Sequence, residues 1–320
     1  MILEIIIPTY KRYNELIRSV KIILFQISSF NLNSFVSLRV VDDCSPNFDK
    51  TAFKKSFSDN TSFTLEINNH NKGMNKNIYD SVRSSEAQFC TILTDDDWLE
   101  SNSLIEICKL LQEIIELKYG PNILGFVGPR YSFRENGELS SIVCKMNSSC
   151  KVLPSGPFSA VRYCKLGFIL TGLIFKPSAI DFKIWSNNLD NAYFPLLYLA
   201  QLLNDGNFLY YKNDWFHHIV LNECHWESWG SNEVSQYNKI TSDYLMALDI
   251  IHSRYVSKNF LIYVSSLYEL FLFVSKIDIT YVSSNSNLPW KSKSLKFIFS
   301  ISWILFAPLR YFKRIKSYAY

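Results

Sequence analysis

Phe89-Cys90-Thr91-Ile92-Leu93-Thr94-Asp95-Asp96-Asp97 is a short apolar run that ends in three adjacent carboxylates. A continuous apolar run of this length, broken at once by polar residues, predicts a strand buried on both faces. Three neighbouring carboxylates repel one another, so something must screen them. Solvent does so if the triplet is a turn capping a helix that starts near Ser101. A divalent cation with hard oxygen ligands does so equally well. The triplet alone does not choose between the two.

The same arrangement recurs on either side. Residues 3–7, 37–41 and 63–67 are apolar runs upstream, and 123–127 is one downstream. Between them Leu16, Ile17, Val20, Ile23, Leu24 and Ile27 recur at helical spacing, residues 73–84 read as a helix, and Leu104, Ile105, Cys108, Leu111 and Ile115 mark another. Strand–helix alternation predicts an α/β layered fold with a mostly parallel, Rossmann-like central sheet. In such sheets ligands bind beyond the carboxyl ends of the strands. Those ends read Pro8-Thr9-Tyr10-Lys11-Arg12, Asp42-Asp43-Cys44-Ser45, Asn68-Asn69-His70-Asn71-Lys72-Gly73 and Thr94-Asp95-Asp96-Asp97. Asp42-Asp43 alone reads as an Asx-turn with Ser45-Pro46. Four polar strand ends in succession predict one shared site.

These four segments resemble family 2 glycosyltransferases of the GT-A fold. Ile5-Ile6-Ile7-Pro8-Thr9-Tyr10-Lys11-Arg12 is similar to the opening of that family, and Val40-Val41-Asp42-Asp43-Cys44-Ser45 to its VDDGS segment, with Cys44 where glycine is usual. Asn71-Lys72-Gly73 with Asn77 resembles the N-x-G…N segment, and Ile92–Asp97 the DxD region, with Thr94 in the place of the first aspartate. The resemblance covers about residues 1–130. It implies that Pro8, Thr9, Tyr10, Arg12, Asp42, Asp43, Asn71, Lys72, Gly73, Asp95 and Asp96 line a nucleotide-sugar pocket. It also implies that Asp96 and Asp97 hold Mn2+ or Mg2+, with Asp95 in support. A cation there would neutralise a diphosphate leaving group as the glycosidic bond breaks.

An inverting transfer needs a carboxylate to take the acceptor's proton. The family places it after a G-x-x-F strand, which Thr171-Gly172-Leu173-Ile174-Phe175 resembles; the carboxylate at the expected place is then Asp190, with Asp181 competing and a helix cap as its bland role. A late histidine is a further metal or diphosphate contact in several GT-A enzymes; His217, His218 and His225 are the candidates, and His218 is the one assigned to the metal. Residues 225–230, rich in aromatics, suit a loop closing over the site.

The 320 residues carry 48 % hydrophobic side chains and a net charge of +4, which excludes a disordered chain. From Pro289 onward there are seven basic residues and no acidic one. The remainder is slightly acidic, so the body is not a nucleic-acid binder by charge. Residues 297–309 are apolar but interrupted by Pro308 and shorter than the roughly 20 residues a bilayer span needs. Flanking Lys, Arg, Trp and Tyr side chains predict a segment lying on an anionic membrane surface, and a lipid-linked saccharide acceptor would suit it. The seven cysteines show no CxxC pair and read as reduced thiols. The first residues read as the first strand of the fold rather than as a signal peptide.

The expected organisation is therefore a nucleotide-sugar-binding half (1–130), an acceptor-binding half (131–230), a helical extension (231–288) and a basic, aromatic tail (289–320). The expected activity is metal-dependent glycosyl transfer to a lipid-linked oligosaccharide or other polysaccharide, performed peripherally on the cytoplasmic face of the cell membrane. A nucleotidyl- or phosphotransferase using the same carboxylates would carry a Gly-rich phosphate loop, which is absent. A catalytically silent nucleotide-binding or membrane scaffold is the alternative outside the enzymes.

Overall fold

The structure, a computed structural model, describes residues 1–46, 48–57, 63–134, 136–220 and part of 242–255. Residues 1–225 form one compact unit and 226–320 a second. Within the second unit, the described stretch is helical and buries Tyr244, Ala247, Leu248 and Ile251. The tail 289–320, His225 and the expected closing loop lie outside the described residues. No helix among the described residues is long and apolar enough to cross a membrane.

The first unit opens with β1 (Leu3–Thr9), α1 (Tyr13–Ser29), β2 (Val36–Asp42), α2 (Lys50–Lys55), β3 (Phe63–Ile67), α3 (Met74–Arg83) and β4 (Phe89–Ile92). Next come β5 (Asp97–Leu99), α4 (Ser103–Ile115), β6 (Ile123–Val127), β7 (Arg130–Arg134), β8 (Leu139–Val143) and β9 (Cys150–Leu153). α5 (Pro157–Tyr163), β10 (Leu173–Phe175), α6 (Phe182–Ser186), α7 (Phe194–Asp205), β11 (Asn207–Tyr211) and β12 (Phe216–Val220) complete it. Eight strands form the main sheet in the order β3-β2-β1-β4-β10-β6-β11-β9.

The sheet is parallel from β3 to β4, as the alternation predicted. It is not parallel throughout: β10 runs antiparallel between β4 and β6, and β9 closes the edge antiparallel to β11. Inserting β10 lets the chain return from the far side of the sheet without another crossover helix. β1 and β2 bury nearly every side chain, because α1 and α4 cover one face and α3 the other. α1 turns Leu16, Val20, Ile23, Leu24 and Ile27 into that core.

A second sheet, β5-β12-β7-β8, crosses beyond the ends of β4 and β6. Asp97 is the first residue of β5 and pairs with His218 of β12. The strand period of two sends His218 toward Asp97 and His217 to the opposite face, among Trp98, Tyr131 and Phe133.

The helix expected to start at Ser101 begins at Ser103, and its cap position is Asn102, in the left-handed region at φ 64°. No side chain of its own caps it. Gln26 of α1 does so instead, accepting from Leu104 N at 2.9 Å and donating to Glu100 O at 3.1 Å. The aspartate triplet is thus separate from the helix start, and the capping explanation for it falls away.

Candidate functional site

The carboxyl ends of β1, β2 and β4 meet along one edge; between β1 and β2, Asp43 N donates to Thr9 O and Lys11 N to the Ser45 hydroxyl. The turn out of β4 closes with Asp97 N donating to Thr94 O. Ser19 of α1 donates its hydroxyl to the carbonyls of Asp95 and Asp97, at 3.2 and 2.7 Å. Arg18 Nη2 donates to Asp96 O at 3.0 Å. Helix α1 therefore holds the triplet from behind and leaves the side chains facing the pocket edge.

The three aspartates divide their work. Asp95 is buried, accepts from Thr9 Oγ1 at 2.8 Å and pairs with Arg12 Nη1 at 3.1 Å. Burial pushes its carboxyl up to about 7, although the Arg12 charge and the Thr9 hydrogen bond pull the other way. Asp96 is the accessible one, with its side chain 26 % exposed, and the same Arg12 nitrogen lies 2.8 Å from it. Asp97 is fully buried. Its Oδ1 is 2.7 Å from His218 Nδ1, and Arg130 Nη1 lies 3.3 Å from Oδ2. Burial works to raise the Asp97 carboxyl; the His218 hydrogen bond and the Arg130 charge outweigh it and hold the carboxyl below its usual range.

Asp96, Asp97 and His218 present ligand atoms within 4.8 Å of one another. Two carboxylates and an imidazole are donors that suit Mg2+ or Mn2+. His218 Nδ1 and Asp97 Oδ1 face each other at 2.7 Å, so a cation held by both would take the place of that hydrogen bond. The donor set fits a divalent cation.

The cluster on β2 is built differently. Asp42 and Asp43 are buried, yet neither has a basic side chain as a described partner. Asp42 accepts from Ser45 N and Ser45 Oγ at 2.8 and 2.5 Å, the Asx-turn that the sequence suggested. Asp43 Oδ1 accepts from Asn68 Nδ2 and Lys72 N, both at 2.9 Å, and Oδ2 from Gly73 N at 2.8 Å. Gly73 stands at φ 80°, where a side chain would be strained. Asn71 Oδ1 also accepts from Gly73 N, and Asn77 joins through Asn68 and Val41 O. These residues form one hydrogen-bonded loop that shapes the pocket wall. Cys44, in the place of the usual glycine, takes φ 62°, the left-handed conformation a glycine adopts freely.

Of the remaining residues, Pro8 is buried in register with Val41, and Tyr10 is exposed beneath the Lys11 ammonium. Lys72 turns its ammonium to Asp80 at 3.1 Å. Asp190 is exposed in a turn bound to α3 through Asn75, whose Nδ2 donates to Leu189 O at 2.6 Å and Asn191 O at 3.1 Å. The cap position of α7 is Tyr193, so Asp190 is not its cap. Asp181 does cap α6, accepting from Lys183 N at 3.0 Å. His217 pairs with Glu100 at 3.2 Å and lies apart from the triplet. Arg130 escaped the sequence reading. Following the strand-end rule one strand further, to Gly128-Pro129-Arg130 after β6, would have found it.

The model of the family described as Glycosyl transferase family 2 matches residues 4–148. Among solved structures, S. aureus TarS 1-349 in complex with UDP-GlcNAc superposes with a TM-score of 0.53 at 14 % identity, covering 88 % of this chain and 83 % of that one. TarS 1-349 in complex with UDP gives 0.50 at 12 %, covering 88 % and 76 %. At such identities the likeness is one of fold, and it agrees with the GT-A arrangement of the main sheet. No curated protein sequence matches the chain. Both aspartate clusters, Arg12 and Arg130 fall inside the matched span, so residues 4–148, which carry the candidate site, are similar to glycosyl transferase family 2.

Proposed function

We propose that this domain transfers a sugar from a nucleotide-sugar donor, with a divalent cation, and that the acceptor is a lipid-linked oligosaccharide or another polysaccharide. The observation that carries the proposal is the convergence of Thr9, Arg12, Asp95, Asp96, Asp97 and His218 at the carboxyl ends of β1 and β4. The TarS complexes, with UDP-GlcNAc and with UDP, favour a uridine donor. Asp96, Asp97 and His218 would hold Mn2+ or Mg2+, which when bound supplies charge neutralisation for the departing diphosphate. The chain's own residues do the rest. Asp43 and its loop shape the wall for base and ribose. Asp190, exposed on a turn tethered by Asn75, is assigned to take the acceptor's proton, which makes the transfer inverting.

The basic, aromatic tail 289–320 is assigned to an anionic membrane surface on the cytoplasmic side, where a lipid-linked acceptor would be met. Deleting it should move the protein from the membrane pellet to the supernatant; unchanged pelleting removes this part of the proposal.

Thermal unfolding against a panel of nucleotide sugars, with and without Mn2+, tests the donor. A true donor at a hundred times its Kd stabilises by about 2.7 kcal/mol. A panel without any shift contradicts the proposal. For the base, Asp190→Asn should bind the donor unchanged and lose transfer; transfer at the unmodified rate reassigns the role.

A further inference from the structure

Asp96, the accessible carboxylate of the candidate cation set, already has a cation beside it. Arg12 Nη1 lies 2.8 Å from Asp96 and 3.1 Å from Asp95, one nitrogen bridging two carboxylates. A divalent ion on Asp96 and that guanidinium would be like charges competing for one carboxylate. The two arginines of the cluster differ in their freedom to move. Arg130 is 16 % exposed behind Asp97, whereas Arg12 is 43 % exposed at the mouth. Arg12 also occupies the cap position of α1 without capping it, directly after Lys11 at φ 61°. Its side chain is held by the aspartates and by no other described polar partner.

We infer that Arg12 is the resting counter-charge of the cluster, that a divalent cation displaces it from Asp96, and that the released guanidinium turns to the donor's diphosphate. This rests on the cation reading given above. The planar guanidinium fork matches phosphate oxygens, and from the end of β1 it remains at the pocket mouth. The exchange has a thermodynamic consequence. The cation alone binds weakly, because it must break an ion pair. A nucleoside diphosphate offers Arg12 another partner and so strengthens cation binding, and linkage makes the strengthening reciprocal.

Titration of the full chain with Mn2+, followed by the electron paramagnetic resonance of the free ion, tests this. Wild type, Arg12→Met and Arg12→Lys are compared without and with UDP. Arg12→Met should bind Mn2+ alone about tenfold tighter than wild type, and UDP should then improve Mn2+ binding less than it does in wild type. Arg12→Lys keeps the competing charge and should stay near wild type for Mn2+ alone. Equal or weaker Mn2+ binding by Arg12→Met overturns the inference while leaving the cation reading intact. Absence of Mn2+ binding to wild type even with UDP overturns both. If Arg12→Met does not fold, Arg12→Gln carries the same expectation.

Discussion

Two aspartate clusters flank β1 at the carboxyl edge of one sheet, and their carboxylates are balanced by different means. Asp42 and Asp43 are served by neutral donors: backbone N–H groups, a serine hydroxyl and an asparagine amide. Asp95, Asp96 and Asp97 are served by Arg12, Arg130 and His218. In the first cluster the donors are fixed parts of the loop, so the carboxylates are structural members of the pocket wall. In the second, one carboxylate stays accessible and its partner is a side chain that can leave. Acidic residues at a strand end are therefore not a cation site by composition; what surrounds them decides.

Substitutions in the two clusters should fail in different ways. The largest effect belongs to Asp96→Asn, which removes an accessible charge without leaving a buried group unpaired. Glycosyl transfer should fall about a hundred- to a thousandfold while the unfolding midpoint barely moves. A loss of stability on that scale instead would give Asp96 the structural role assigned to Asp43. Asp97→Asn leaves Arg130 without its enclosed partner, and chemical denaturation should show a loss of about 3 kcal/mol together with lost activity. Asp43→Asn should behave in the opposite sense to Asp96→Asn. An amide cannot accept at both ends, so either Lys72 N loses its partner or Gly73 N keeps only Asn71. About 2 kcal/mol of stability should go, while the Mn2+ requirement of the folded protein stays as it was.

Smaller effects sharpen the same contrast. Cys44→Gly relieves a left-handed residue in the first cluster's turn and should stabilise by about 1 kcal/mol, a rise of a few degrees in Tm. A fall in Tm would mean that the Cys44 side chain contributes more than its backbone costs. Asp80 draws the ammonium groups of Lys72 and Lys76 away from the first cluster. Burial is the largest single influence and works to raise its carboxyl; the hydrogen bonds and charges of Lys76 and Lys72 together outweigh it and hold the carboxyl below the usual range. The unfolded chain thus takes up the proton at higher pH than the folded one. The contribution is complete above the unfolded pKa and is lost as pH falls through the folded value. It amounts to under about 1 kcal/mol, since the three side chains are partly exposed and solvent screens them. The acid limb of stability should flatten slightly in Asp80→Asn; an unchanged limb would remove Asp80 from that balance.

Much of this edge was legible in the sequence because it rests on short-range physics. Buried strands such as Ile123–Val127 announce themselves as apolar runs, and the residues that follow them mark the sheet's edge. The Asx-turn at Asp42 was readable for the same reason, its partner Ser45 being three residues away. Partnerships across the fold were not readable. Arg130 meets Asp97 only because β7 and β5 flank β12, and no local pattern records that. The three-residue strands β5 and β10 are too short to carry a period. Gln26, which caps α4 from α1, took a role that proximity had suggested for the aspartate triplet. The division of labour between the clusters depends on such distant partners, which is why two similar-looking acidic pairs had to be separated by their surroundings.

The most direct test is anomalous scattering at the manganese edge from crystals grown with Mn2+ and UDP. The account predicts one strong peak within bonding distance of Asp96 and His218, and none at Asp42 or Asp43. A peak at Asp42–Asp43, or bound UDP with no peak beside Asp96, would contradict it.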